Sequence, residues 1–359
     1  MVTGNTRTST VTSSYRELKK LNQSMLKIFD ENPQVFYKQF VLGEQRKEED
    51  TASTLLGSLC DYFLLECRGD ENEFNQNFDK YFCLFQGNRT TAQVFDLCDE
   101  LFTITKNSMT EGGEITVSFE DRFKEAFNNI QSQGKYKGKT WEKGLEDFNK
   151  SGKEYFDTLL QSIGKKVVDL SLVEKAKFIT NQLLTDDFTK NLWVYEENTE
   201  FLTKFAIEFE WYGFECKMEA DAILVDHRSK TIYPFDLKVL YDNEEFGYSY
   251  LKNGYYLQQA FYWQGIKEWA NAINIDEYEV KPMTFIVADS SKNGRRPLIY
   301  KLTEHHLMQG LTGFYNNGRY YRGVSELMGA VSWANYNQIW NVSREAFENN
   351  GIITLQEFK

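Results

Sequence analysis

Three consecutive stretches in the second half of the chain constrain its fold most strongly. They read KFAIEFEW at 204–211, CKMEADAILVD at 216–226 and TIYPFDLKVL at 231–240. Alternating apolar and polar residues, and short apolar runs of this length, are typical of β-strands. The sequence therefore predicts three successive strands joined by short turns.

The remaining pattern places helices around these strands. Helical spacing of apolar residues runs over 14–45, with a break at Asn32-Pro33, and a second apolar helix covers about 51–66. Residues 68–200 are polar and mostly helical. An aromatic helix over 255–273 and strands near 280–288 and 297–302 follow. This order predicts an α+β or mixed α/β fold, with a central mixed β-sheet flanked by helices. The expected division is a polar tail (1–13), a mainly helical region packing on the core and supplying Asp61 (14–200), the core itself (201–302) and a helical, aromatic C-terminal region (303–359).

Composition excludes several classes of protein. The chain of 359 residues is 41% hydrophobic, and it has no apolar run long enough to span a membrane. Residues 1–13 lack the apolar centre of a secretory signal, so we expect an intracellular, cytoplasmic protein. Five cysteines without C-x-x-C spacing and only three histidines argue against zinc, iron–sulfur and histidine-based sites. Any metal site should therefore use oxygen ligands, which favours magnesium or manganese.

The hairpin formed by the second and third strands brings acidic residues together. If Asp226 and Thr231 are the last pair around a four-residue turn, Asp221 faces Asp236 and Glu219 faces Lys238. Carboxylates opposed at about 5 Å repel each other. A cation between them would relieve that repulsion, and magnesium with its retained waters is suitable. Along the third strand, the face with Tyr233, Phe235, Leu237 and Val239 is apolar throughout and is expected to be core.

Two further features join this hairpin. Asp61 is the single charged residue between Asp50 and Glu66, inside an apolar helix, and Gly57 lies one turn before it. Alone, Asp61 would be read as facing a water-filled groove or capping a helix. Together with the hairpin it becomes a candidate metal ligand. Gln258 and Tyr262 lie one turn apart on the aromatic helix and share a face.

In this order, the motifs resemble the PD-(D/E)XK nuclease superfamily, and within it the RecB/RecE-like phage and bacterial exonucleases, which include relatives of lambda exonuclease. The two-part motif is matched by Asp221 and by Pro234-Phe-Asp236-Leu-Lys238, with Lys217 in the lysine-x-x-x-aspartate phrase. Gln258 and Tyr262 match the Q-x-x-x-Y helix. GSLCD at 57–61 matches the upstream helix, where the RecB type has histidine in place of Asp61. The likeness covers about 200–290 well and 14–66 loosely.

The resemblance implies a magnesium- or manganese-dependent DNA exonuclease of the phage recombination kind, built on a restriction-endonuclease-like core. It implies metal ligation of one or two ions by Asp61, Asp221, Asp236 and the Leu237 carbonyl. Lys238 would orient the attacking hydroxide, and Gln258 and Tyr262 would position the water or the scissile strand. The cysteine cluster of iron–sulfur relatives is absent from this sequence.

DNA contacts and partners are further expectations. Positive charge next to aromatic residues suggests strand-binding positions, although solvated loops explain each of them equally well. These positions are Lys217, Lys252, Arg295, Arg296, Arg319 and Arg322. The resemblance also raises a single-strand-binding or annealing protein as partner, a ring-shaped homo-oligomer, and, for a phage-encoded chain, the host cytoplasm.

Two other functions stay open at this point. One is a structure-specific or restriction-type endonuclease on the same core, which would not need a free DNA end. The other is a noncatalytic acidic interaction protein that keeps the fold. The net charge of −12 favours it, and the intact acidic residues argue against it.

Overall fold

The chain divides into two compact units in the computed structural model, which describes residues 20–44, 51–87, 91–110, 112–162, 165–193, 197–291 and 294–353. The first unit is formed by Met1–Gly69 and Ala176–Lys359, and the second by Asp70–Lys175. The sequence analysis placed its boundary near residue 200, whereas this division falls at 70 and 175. The expected tail, the first residues of the helical region and its stretch at 45–50 lie outside the described residues.

Helices dominate both units. In chain order they are α1 (Gln23–Glu31), α2 (Pro33–Phe36), α3 (Ala52–Asp61), α4 (Glu71–Tyr81), α5 (Ala92–Asn107), α6 (Phe119–Ser132), α7 (Trp141–Asp147), α8 (Lys153–Ser162), α9 (Leu170–Thr185), α10 (Phe246–Lys252), α11 (Tyr255–Ala272), α12 (Glu304–Thr312), α13 (Val324–Asn337) and α14 (Arg344–Glu348). π-Helical turns continue α2, α3 and α7 over Tyr37–Val41, Tyr62–Glu66 and Phe148–Gly152. A 3₁₀ turn covers Lys190–Trp193.

The strands form one large sheet and two small ones. In chain order they are β1 (Phe82–Phe85), β2 (Lys166–Asp169), β3 (Thr199–Trp211), β4 (Phe214–Asp226), β5 (Thr231–Leu240), β6 (Glu279–Val280), β7 (Thr284–Asp289), β8 (Leu298–Lys301), β9 (Phe314–Asn316) and β10 (Arg319–Tyr321). The large sheet has the order β3-β4-β5-β7-β8, and β6 also pairs with β5. The three successive strands, the aromatic helix and the later strands are confirmed. The β1–β2 pair and the β9–β10 hairpin were not predicted.

The large sheet is mixed, as the sequence predicts. β3, β4 and β5 are antiparallel neighbours, β5 and β7 run parallel, and β8 returns antiparallel to β7. Parallel strands need a crossover connection, and here α10 and α11 lie in the segment between β5 and β7. A mixed α/β architecture with helices around a central sheet is thus confirmed.

The register of the β4–β5 hairpin is confirmed next to the turn, whereas the predicted pairs Asp221–Asp236 and Glu219–Lys238 lie beyond the end of the ladder. Asp226 pairs with Thr231 across the turn at 227–230, and the ladder continues to Ala222 opposite Phe235. The β3–β4 hairpin is tighter, since Tyr212 and Gly213 alone connect the strands. Both residues have positive φ, 52° and 75°, which suits a two-residue turn of the mirror-image type.

Helix α11 lies at the centre of the first unit's core. Phe261 is fully buried on this helix, in one apolar cluster with Leu26 of α1, Ile232 of β5 and Val331 of α13. At Gly265 the helix approaches the sheet so closely that a Cβ atom would lie 2.5 Å from the Met218 sulfur. The segment that carries Gln258 is therefore held firmly on the sheet.

The expected core face of β5 needs correction. Ile232, Pro234 and Asp236 are buried on the opposite face, whereas Tyr233 and Phe235 are only partly buried. The reason is that α11 covers the face with the carboxylate, and its Gln258 contacts Asp236 directly. The sequence analysis identified the wholly apolar face as core and did not predict that α11 covers the face with the carboxylate.

The second unit has a core of its own. Leu97 and Leu101 of α5 pack with Phe123 and Phe127 of α6 and with Tyr136. In the same unit β1 and β2 pair in parallel, with Phe82 opposite Lys166. A separate apolar core is what an independently folding domain requires.

None of the helices in the described residues combines the length and apolar character that a membrane crossing demands.

We expect Gly310→Ala to lower the melting temperature by several degrees. Gly310 is buried on α12, where an added Cβ atom would overlap the backbone carbonyl of Tyr256 on α11. Backbone cannot move aside as a side-chain tip can, so the loss should be about 1–3 kcal/mol. Thermal unfolding followed by circular dichroism measures it.

Gly329→Ala is the matched control for this helix substitution. Gly329 is exposed on α13 and nothing lies within 4 Å of the position of its Cβ. Alanine should there be neutral or gain up to about 1 kcal/mol from helix propensity. Equal effects at both positions would mean that α11 and α12 do not pack this closely.

Candidate active site

One cavity of about 340 Å³ in the first unit gathers residues from separate parts of the sequence. Eight predicted residues line it: Asp61, Lys217, Asp221, Asp236, Leu237, Lys238, Gln258 and Tyr262. Asn22, Gln23 and Ser24 at the start of α1, with Met218 and Glu219 of β4, complete its wall. The elements that meet here are α1, α3, the two central strands β4 and β5, and α11.

Asp221 lies where both ladders of its strand are interrupted. The β3–β4 ladder omits the position of Lys204 and Asp221, and the β4–β5 ladder ends one residue before Asp221 would face Asp236. Instead, the Leu237 N–H donates to Asp221 Oδ2 at 3.0 Å. The carboxylate thus takes a backbone hydrogen bond that would otherwise belong to the sheet.

Asp61 reaches the same place from the end of α3. Thr51 caps this helix by accepting a hydrogen bond from the Thr54 N–H, and a π-helical turn begins directly after Asp61. Local π-helical turns recur at functional sites. The Asp61 side chain is the most exposed of the three aspartates, at 26% against 15% for Asp221 and 3% for Asp236.

Asp236 is held by two neighbours. Gln258 of α11 donates from Nε2 to Asp236 Oδ1 at 2.5 Å, and the Lys238 ammonium pairs with Oδ2. Lys238 also lies 4.7 Å from the ring centroid of Tyr255, a cation–π distance. Gln258 therefore contacts the carboxylate itself, in addition to lining the space where the sequence analysis placed a water or a DNA strand.

The three carboxyl groups differ in their protonation. Burial raises the pKa of Asp236 to about 7; the nearby Asp221 adds to the rise and Lys238 opposes it. Burial likewise raises the pKa of Asp61 to about 6, against the attraction of Lys204. Burial acts the same way on Asp221, but the charges of Lys204 and Lys238 outweigh it and lower that pKa. Of the three carboxyl groups, Asp221 consequently stays ionised down to the lowest pH.

The sequence analysis missed Lys204. Its ammonium lies between two of the predicted metal ligands, 2.9 Å from Asp61 Oδ2 and 2.7 Å from Asp221 Oδ1. Counting back from the turn at Tyr212-Gly213 would have placed Lys204 opposite Asp221, by the same reasoning that was applied to the next hairpin. The sequence analysis derived strand pairing from the turn of the β4–β5 hairpin only, and did not apply it to the β3–β4 hairpin.

The donor atoms are of the kind that magnesium prefers, although ammonium groups now contact them. Carboxylates of Asp61, Asp221 and Asp236 and a backbone carbonyl at Leu237 are hard oxygen ligands. In the part of the chain that the structure describes, however, no three acidic, histidine or cysteine side chains are spaced to share one ion. Lys204 lies between two of the carboxylates and contacts both.

Most of the predicted DNA-binding cations lie away from the cavity. Lys217 is buried in the cavity wall, whereas Lys252 and the four arginines do not line it. Several of the arginines have acidic partners: Arg295 pairs with Asp242 and Glu244, Arg296 with Asp186, and Arg322 with Glu326 and Asp30. Arg319 lies over the ring of Tyr321, and Lys252 over that of Tyr248. Of these six side chains, Lys217 is the one that lines the cavity.

We expect Asp236→Asn to stabilise the metal-free protein increasingly as the pH rises from 5 to 8. An aspartate ionises near pH 3.8 in the unfolded chain, but Asp236 keeps its proton up to about pH 7 in the folded state. Between pH 5 and 8 the wild type therefore loses stability, by roughly 3 kcal/mol at most, and the neutral asparagine does not. Melting temperatures in EDTA across this pH range measure the difference.

Asp226→Asn is the control for this pH series. Hydrogen bonds, first from the Ser229 side chain, lower the pKa of Asp226, so it titrates below the range tested and its effect should stay constant. An Asp236→Asn variant that is less stable than wild type at pH 8 would show that the ion pair with Lys238 is a structural necessity.

No protein-family model matches the chain, and no curated protein sequence is significantly similar to it. Function must therefore be argued from the cavity and the motifs that form it.

Proposed function

We propose that this protein is a magnesium- or manganese-dependent DNA nuclease with a PD-(D/E)XK core, and specifically an exonuclease of the phage recombination kind. One observation carries the proposal. Residues from four separate motifs, matched only by sequence resemblance, meet in a single cavity: Asp61, Asp221, Asp236 with Lys238, and Gln258 with Tyr262. Chance matches would have no reason to converge.

The topology supports the same conclusion. The two acidic motifs lie on adjacent antiparallel strands, β4 and β5, near the centre of the mixed sheet. The Q-x-x-x-Y helix α11 follows β5 in the chain and packs back on that sheet. The upstream helix α3 places Asp61 in the same cavity. A two-part acidic hairpin with these helices is what the resemblance requires.

The residues have distinct parts in the proposed reaction. A bound divalent cation, held by Asp61, Asp221, Asp236 and the Leu237 carbonyl, would supply a more acidic water and stabilise charge on the phosphate. Lys238 is placed to neutralise phosphate charge and to orient the attacking hydroxide, since its ammonium lies in the cavity against Asp236. Gln258 would fix the orientation of Asp236. Tyr262 lines the cavity and would contact the scissile strand.

A noncatalytic acidic protein is the second candidate, and Lys204 is the observation that favours it. An ammonium shared by Asp61 and Asp221 neutralises both carboxylates without any metal. The net charge of −12 points the same way. Calorimetric titration with manganese separates the two, because a site that has lost its metal should give no binding heat.

We expect Asp236→Ala and Lys238→Ala each to reduce DNA hydrolysis at least about 100-fold, since removing one positioned charged group from an active site commonly costs that much. The assay is release of nucleotides from an end-labelled linear duplex with magnesium. Lys230→Ala is the matched control: this exposed turn lysine pairs only loosely with Glu277, at 3.3 Å, and its loss should leave the rate unchanged.

The same assay with covalently closed circular DNA tests the exonuclease assignment. An exonuclease leaves such circles intact, whereas a restriction-type or structure-specific endonuclease opens them. Wild-type activity in both alanine variants would reject the nuclease proposal itself.

We also expect calcium to support DNA binding without cleavage. The three carboxylates outnumber the two ammonium groups of Lys204 and Lys238, so excess negative charge in the cavity repels the phosphate backbone until a metal cation neutralises it. Calcium takes oxygen ligands at longer distances and in looser geometry than magnesium, so it should restore binding but not the arrangement for attack. Fluorescence anisotropy of a labelled duplex should show weak binding in EDTA and tighter binding in calcium. Tight binding in EDTA would mean that these carboxylates do not control the encounter.

A further inference from the structure

Lys204 has a backbone conformation that strands do not favour. Its φ is 45°, in the left-handed region. The other described non-glycine residues with positive φ lie outside strands, whereas Lys204 lies within β3. The pairing of β3 with β4 is in the same register on both sides of it, so no extra residue explains the distortion. Such strain costs about 1–3 kcal/mol and persists only where the surroundings enforce it.

The side chain of Lys204 is held through its ammonium group, which contacts Asp61 and Asp221. The Lys204 side chain is 11% exposed, and its nitrogen lies within 3 Å of one oxygen of Asp61 and one of Asp221. These two aspartates come from a helix and a strand that are far apart in sequence. The contacts join an ammonium group to two carboxylate oxygens, so both are charge-assisted.

The position of this nitrogen is that of a small cation between two ligands. Magnesium binds oxygens at about 2.0–2.1 Å. The two oxygens that contact the Lys204 nitrogen lie at 2.9 and 2.7 Å, so a small movement of the carboxylates would suit the metal. An ammonium and a divalent ion cannot share that point. The lysine stem is long and flexible, and a cavity adjoins Asp61 and Asp221.

We propose that Lys204 is a built-in counter-cation that occupies the cation position of Asp61 and Asp221 in the metal-free protein and is displaced when a divalent metal binds. The inference rests on the proposed metal-dependent function and adds its regulation. Lys204 is a positioning residue: it holds the two carboxylates together until metal arrives. It also lowers metal affinity, because binding must first break two charge-assisted contacts.

The test is calorimetric titration of manganese into the full chain after removal of metal with EDTA. We expect Lys204→Met to bind manganese at least about 10-fold more tightly than wild type, because no internal cation competes. In EDTA the variant should melt at a lower temperature than wild type, since Asp61 and Asp221 are left facing each other. Manganese should raise its melting temperature more than it raises that of wild type.

Lys217→Met is the matched control for charge. Lys217 is buried in the wall of the same cavity, on β4, and its substitution also removes one positive charge there. A general electrostatic effect would tighten manganese binding equally in both variants, and that result would overturn the proposal. Tightening confined to Lys204 supports it.

Lys204→Gln guards against a variant that does not fold. Its amide is neutral and can still donate a hydrogen bond to one carboxylate. If either variant unfolds in EDTA but shows a cooperative transition with manganese, the proposal is supported. If both stay unfolded with manganese, or bind it no more tightly than wild type, Lys204 is a permanent structural cation and the proposal is wrong. Absence of manganese binding by wild type and variants alike would instead reject the proposed function.

Discussion

Mutual repulsion of buried carboxylates is the constraint around which the first unit is arranged. Asp61, Asp221 and Asp236 face one cavity, and three negative charges in such surroundings are unstable unless positive charge is close. Lys204 and Lys238 supply it from β3 and β5. The β4–β5 ladder ends beside Asp221, whose carboxylate accepts the Leu237 amide, and the β3–β4 ladder is interrupted at Lys204, whose φ is positive. The sheet thus lacks some of its regular hydrogen bonds at the place where the site residues meet.

Much of this could be predicted from local sequence. The turn at 227–230 determined the register of β4 against β5, and that register put Asp221 and Asp236 near each other. The isolated position of Asp61 in an apolar helix marked it as a residue with a polar partner. Gln258 followed from its place on the helix after the hairpin. In each case a short stretch carried the information, because turn length and helical spacing are local properties.

What sequence did not reveal depends on contacts between distant segments. Residues 70–175 form a unit with a separate core, and β1 pairs with β2 across most of its length. No local pattern encodes a parallel pair whose members are so far apart. The core face of β5 was misassigned for a related reason: the alternation of residues along a strand does not show that a helix covers the face with Asp236. Lys204 was overlooked although the neighbouring turn at Tyr212-Gly213 contained its register.

The distance along the chain between Asp61 and Lys204 has a consequence for synthesis. They are 143 residues apart, so at about 5–20 residues per second a ribosome takes roughly 7–30 s to make the partner of Asp61 after making Asp61 itself. During that time the apolar helix α3 has emerged without the strands that it packs on. Residues 70–175 are made in the interval and carry their own core, so they can fold first. In the cell, we therefore expect chaperones to bind α3 during synthesis, before the strands that cover it have been made.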